Sequence, residues 1–157
     1  MPLKISRSEM QAGSQKQQQV GEGGAMSVYQ IYGTRCGMMV ATRAGGYHSS
    51  PHKHVAEQLN YVVEGEIWIF VEQEGFQLRA GDFLRVPSMA VHWAWIRSSQ
   101  PCTMVEAFSP AHWITRSGTV GLLVEGQEAP VTEQSRNIPG PIEFAAEVER
   151  NCFGTDS

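Results

Sequence analysis

Along the chain, apolar residues gather in short runs broken by glycine, proline and serine. Runs rich in β-branched or aromatic residues stand at 28–32 (VYQIY), 36–42 (CGMMVAT), 59–63 (LNYVV), 66–72 (EIWIFVE), 76–78 (FQL), 82–86 (DFLRV), 91–96 (VHWAWI) and 102–108 (CTMVEAF). Segments of this length and make-up predict strands. Glu64-Gly65 and Glu74-Gly75 each place a glycine where a tight turn needs positive φ, so hairpins are expected at both. No segment carries a convincing helical period, and 109–115 (SPAHWIT) is too short and contains a proline. Many short strands with almost no helix predict an all-β domain, an antiparallel sandwich or barrel, over residues 27–131. Residues 1–26, rich in Gln, Gly and Ser, read as a mobile N-terminal arm. Residues 132–157, with Pro139 and Pro141, read as a C-terminal tail free to wrap the domain or a partner subunit.

Composition narrows the function classes. At 157 residues the chain has room for one core. A formal charge of -4 leaves no basic footprint, so nucleic acid is not expected as a partner. No run of 18 or more apolar residues predicts a membrane span. The first twenty residues lack the apolar centre of a secretory signal. Cys36, Cys102 and Cys152 are odd in number and widely spaced, which fits reduced thiols and a cytoplasmic protein better than a disulfide framework.

The candidate chemistry lies in 46–65 (GYHSSPHKHVAEQLNYVVEG), which holds three of the five histidines within seven residues. His52 and His54 form an H-x-H pair. On a strand such a pair shares one face, with Cα atoms about 6.6 Å apart, and both imidazoles can reach one ion at about 2.0–2.1 Å. On a straight strand Gln58 would lie about 13 Å beyond His54, so a ligand at Glu57 or Gln58 requires a turn around Val55-Ala56. His92 begins another apolar strand. If that strand pairs beside the first, His92 faces the same cavity.

At these residues the sequence resembles the cupin family. The family's first motif is Gly, five residues, H-x-H, three or four residues, Glu or Gln, six residues, Gly. It is met by Gly46, His52, His54, Gln58 and Gly65. The second motif is Gly, five residues, Pro-x-Gly, two residues, His, three residues, Asn. It is met by Gly81, Pro87 and His92, with Met89 in place of the glycine and Ile96 in place of the asparagine. Fifteen residues separate the motifs, and the resemblance spans roughly residues 28–110. It implies a jelly-roll β-sandwich, commonly dimeric, with one divalent ion (Fe, Zn, Mn or Ni) on His52, His54, Gln58 and His92. The turn after Pro87 must then form without its glycine.

Other residues are candidates around that ion. Glu106 lies mid-strand in an apolar run; forced inward, its carboxyl would have a raised pKa and could shuttle protons. Glu57 is the second candidate, as an alternative ligand or a catalytic carboxylate at the rim. Arg43, Arg85 and Tyr61 are candidates for substrate binding, the arginines by bidentate contact with a carboxylate. His48 is expected at the rim or in solvent, and His112 in a structural place. Three imidazoles and one amide leave an ion its full charge towards a small keto, enol or hydroxy-carboxylate substrate. That favours Lewis-acid isomerisation, cyclisation or lyase chemistry. Among cupins, such sites resemble those that ketonise unsaturated uronates and those that act in aromatic polyketide cyclisation. An Fe(II) dioxygenase acting on an enol or diketone is the redox alternative, since imidazole suits several metals. A non-catalytic small-molecule-binding cupin is the third.

Overall fold

The computed structural model describes residues 4, 6, 17–19, 25–33, 35–111 and 136–154. Residues 112–135, His112 among them, and most of the N-terminal segment lie outside the described residues. The elements run in chain order as β1 (Gln17–Gln19), β2 (Ala25–Tyr32), β3 (Gly37–Arg43), β4 (His52–Lys53), β5 (Glu57–Glu64), β6 (Glu66–Val71), β7 (Glu74–Arg79), β8 (Phe83–Val86), β9 (His92–Trp95), β10 (Cys102–Ser109), β11 (Ile138–Pro139) and α1 (Ile142–Phe153). Two antiparallel sheets result. One has six strands in the order β1-β2-β3-β10-β5-β8, the other five in the order β11-β4-β9-β6-β7. This is the all-β, jelly-roll architecture that the strand pattern and the resemblance imply.

Alternation along the strands builds the core. In β3 every second residue is buried, so Met39, Ala41 and Arg43 point inward while Met38, Val40 and Thr42 point out. β10 pairs with β3 over Cys102↔Arg43 to Phe108↔Gly37 and turns Cys102, Met104, Glu106 and Phe108 the same way. From the other sheet Ile67, Ile69 and Leu78 meet them. The inner faces carry polar groups too. Arg43, Gln58, Asn60 and Glu106 are buried among these apolar residues, and that interruption of the core marks the site.

Both expected hairpins come out differently. Gly65 does adopt positive φ (87°), but the strands it joins lie in different sheets, so it is a corner. A Cβ there would sit 2.4 Å from the Pro101 carbonyl oxygen and 2.9 Å from Cys102 Cα. Gly65→Ala is therefore expected to cost more than about 2 kcal/mol, combining left-handed strain with a backbone clash. Urea unfolding checks this. In the second case β6 and β7 do pair, but the turn falls at Glu72-Gln73, and Gly75 lies within β7 opposite Phe70.

The tail holds a helix that the sequence reading did not foresee. In α1, Ala145 and Val148 are buried, and with Phe144 and Phe153 they pack on Trp68, Phe70, Trp93 and Trp95. The period is present in the sequence (Phe144, Ala145, Val148), but Pro139, Gly140 and Pro141 disguise it as loop. Pro141 stands at the helix start, where its missing N–H costs nothing. Gly75 lets the helix approach, because a Cβ there would lie 2.9 Å from both Cys152 Sγ and the Phe70 ring. No helix among the described residues is long and apolar enough to cross a membrane.

Candidate metal centre

His52 lies on β4 and His92 on β9, and the two residues are cross-strand partners. That pairing is the one the sequence asks for if His92 is to share a cavity with the H-x-H pair. His54 follows β4, and the chain bends at Val55-Ala56 before β5, so the turn needed to bring position 58 back is present. Imidazole centroids lie 4.3 Å apart for His52–His92 and 4.7 Å for His54–His92. One ring nitrogen of each histidine lies within 4.8 Å of the other two.

Hydrogen bonds decide which nitrogen faces which way. His52 Nδ1 meets the Ser50 carbonyl at 2.9 Å, His54 Nδ1 the Ala56 carbonyl at 2.8 Å, and His92 Nδ1 the Ala90 carbonyl at 2.9 Å. A carbonyl oxygen only accepts, so each Nδ1 carries the proton and each Nε2 keeps its lone pair. This is the tautomer that a histidine ligand uses when a backbone carbonyl orients it. Burial pushes the pKa of His52 and of His54 below the usual imidazole value. Three neutral, oriented donors converging in a buried pocket fit a divalent ion.

The second motif supports this arrangement without its glycine. Met89 takes the glycine's place at φ 63°, and its amide donates to the His54 carbonyl at 2.8 Å. Ser88 Oγ donates to the Val55 carbonyl. The turn thus braces the loop that carries His54, with Met89 in a left-handed conformation.

The histidines border a cavity of about 240 Å³ between the sheets. Its apolar wall includes Met26, Met39, Met104, Ile69 and Phe108; its polar side adds Arg43, Gln58 and Glu106. Arg43 Nη2 and Glu106 Oε1 form an ion pair at 2.6 Å, and both side chains are buried. Burial alone would lower the pKa of Arg43, but the facing Glu106 carboxylate, with Tyr47 beside it, outweighs that and holds it above the ordinary guanidinium value. Gln58 Nε2 donates to Asn60 Oδ1 at 2.7 Å and to Glu106 Oε2 at 3.3 Å. Cys102, close to this charge pair, is buried, and burial pushes its thiol up to about 11, which leaves it no thiolate for chemistry.

The remaining candidates separate cleanly. Arg43, Gln58 and Glu106 face the cavity with the histidines. Glu57, Tyr61 and Arg85 do not. They fall on the opposite phase of β5 and β8, so alternation turns them to the outer face of the six-stranded sheet. There Arg85 pairs with Glu57, and Tyr61 packs on Phe83 at 4.7 Å between ring centroids. His48 keeps part of its side chain in solvent, as expected, and has partners besides. It stacks on Trp95 at 4.5 Å, and its Nε2 meets Glu149 Oε1 of α1 at 2.7 Å. Trp93 Nε1 donates to the same carboxylate oxygen at 2.8 Å, so this cluster fastens the helix. The sequence reading singled out neither Asn60, which the alternation from Gln58 buries on the inner face of β5, nor Asn137, which the tail brings to the cavity wall.

Residues 38–108 match the family model described as a cupin domain, and this match, with the two-sheet fold, supports a small cupin-domain protein. None of the curated proteins compared matches it. Among solved structures, it is similar to an RmlC-like cupin from Shewanella frigidimarina. Identity is 26%, covering 62% of this chain and 85% of that one, with a TM-score of 0.54. It is similar to KdgF from a Halomonas species at 25% identity, covering 59% and 85%, with a TM-score of 0.52. A recombinant oxalate oxidase in complex with glycolate shares the fold at 20% identity, covering 57% and 53%, with a TM-score of 0.51.

Proposed function

We propose that the protein is a metal-dependent cupin enzyme in which His52, His54, His92 and Gln58 hold one divalent ion. Its substrate on this proposal is a small keto, enol or hydroxy-carboxylate molecule, which it isomerises, cyclises or cleaves without redox change. The observation that carries this proposal is the convergence of three carbonyl-oriented imidazoles on a cavity that also holds a buried carboxylate. His52, His54, His92 and Gln58 are all neutral donors, so an ion held by them would keep its full charge and would supply Lewis-acid chemistry towards a carbonyl oxygen.

The protein's own residues supply the rest. The methionines, Ile69 and Phe108 bind the apolar body of the substrate and exclude water. Glu106 is the proton carrier: its carboxylate takes a proton from the carbon beside the polarised carbonyl and returns it at a neighbouring position. Arg43 holds that carboxylate in place through Oε1. The apolar residues on the outer face of the six-stranded sheet, among them Leu59, Val63 and Phe83, suit a homodimer.

The test is solvent hydrogen exchange. Metal-loaded protein in D2O is expected to exchange the α-hydrogen of members of a panel of keto acids and β-diketones, read by NMR. Glu106→Gln is expected to slow exchange by about 10²–10⁴-fold. Oxygen uptake by iron-loaded protein with no exchange would instead favour the dioxygenase. Binding with neither exchange nor oxygen uptake would favour a binding module.

A further inference from the structure

The carboxamide of Gln58 sits in a chain of hydrogen bonds whose every direction is determined. At one end the Leu84 carbonyl can only accept, so Asn60 Nδ2 donates to it at 3.4 Å. That turns Asn60 Oδ1 towards Gln58, where it accepts from Nε2 at 2.7 Å. At the other end Arg43 Nη2 holds Glu106 Oε1 at 2.6 Å, and Glu106 Oε2 accepts from the same Gln58 nitrogen at 3.3 Å. Both N–H groups of the carboxamide are thereby used. Its nitrogen faces two acceptors, and its oxygen is left for the histidine side. Flipping the amide would set its oxygen against a carboxylate oxygen and a carbonyl-type oxygen, with no proton between them.

We infer that Asn60 and Glu106 are positioning residues that hold Gln58 oxygen-inward and make the site specific for an amide, not a carboxylate, at this position. The inference rests on Gln58 being the fourth ligand. Glutamate is the same length and would bring a favourable charge to the ion. Placed here, however, its second oxygen would stand where Gln58 Nε2 stands, facing Glu106 Oε2 and Asn60 Oδ1. The surroundings reject it, and the ion therefore keeps a neutral ligand set.

The test is a charge swap read by metal binding. Zinc affinity is measured by competition with a chromogenic chelator, and coordination by the visible spectrum of Co(II)-loaded protein. The proteins are the wild type, Gln58→Ala, Gln58→Glu, Glu106→Gln and the double variant Gln58→Glu/Glu106→Gln. Gln58→Glu is expected to bind zinc about tenfold or more weakly than the wild type. The double variant, in which residue 106 can donate to the new carboxylate, is expected to recover wild-type affinity and a wild-type-like Co(II) spectrum. Tighter binding by Gln58→Glu alone, or additive effects of the two substitutions, would overturn the inference while leaving the ligand assignment standing. A Co(II) spectrum unchanged in Gln58→Ala would overturn the ligand assignment and the inference with it. If Glu106→Gln does not fold, Asn60→Val carries the test, because it removes one acceptor without changing charge. About tenfold weaker zinc binding supports the inference, and unchanged affinity and spectrum overturn it.

Discussion

Replacing Glu106 by leucine is expected to destabilise the metal-free protein by about 3–5 kcal/mol, because it strands a buried guanidinium. Arg43 is only 8% exposed and Glu106 2%, so water cannot take the place of the lost carboxylate. Nor can Arg43 shed its charge, since the guanidinium is protonated throughout the accessible pH range. Its other partners are the Met104 sulfur at 3.7 Å and Tyr47, whose ring lies 5.4 Å from the guanidinium carbon, and neither supplies the full charge of the lost carboxylate. Removing both charges together, as Arg43→Met/Glu106→Leu, is expected to recover most of the loss, because an apolar pair of similar volume suits the surrounding methionines. Urea unfolding of the three proteins checks this. A loss below about 1 kcal/mol in the single variant would mean that the pair is hydrated and the cavity wetter than its lining suggests.

The second large effect is on metal binding. With free zinc at about a thousand times its dissociation constant, the folded state should gain about 4 kcal/mol, a rise in melting temperature of roughly 10 °C. His92→Ala should abolish that rise, since it removes the one ligand from β9 and leaves only the H-x-H pair and the weakly donating amide of Gln58. The pH dependence follows from the lowered pKa of His52 and His54. As pH falls below the ordinary value of 6.5, the unfolded chain takes up protons that the folded site resists. Stability of the metal-free protein is therefore full above that pH and declines as pH drops through it. The metal-dependent gain should decline too, because protons compete for the same lone pairs. Thermal melts with zinc or with chelator, at several pH values, read both effects.

The strands were legible because their alternation is strong, and the histidine cluster because H-x-H on a strand is geometrically demanding. Spacing also told that the chain must turn at Val55-Ala56, and it does. What escaped is what period alone cannot decide. Glu57 and Gln58 are neighbours, and one step of strand phase sends the first to solvent with Arg85 and the second inward. The same phase rule puts Asn60 beside Gln58, a deduction open to the sequence once Gln58 is taken as inward. The Arg43–Glu106 pair was not foreseen, because register between β3 and β10, distant in sequence, is set by the whole sheet. Gly65 signalled its positive φ correctly, but nothing local distinguishes a hairpin from a corner between sheets. The helix α1 was hidden by the prolines that precede it.

The most direct test of the central claim is the metal content of freshly purified, untagged protein beside a His52→Ala/His54→Ala variant. Elemental analysis should find near-stoichiometric divalent metal in the wild type and almost none in the variant, with both proteins folded. Equal metal in both, or none in either after metal supplementation, would contradict a metal centre at these histidines.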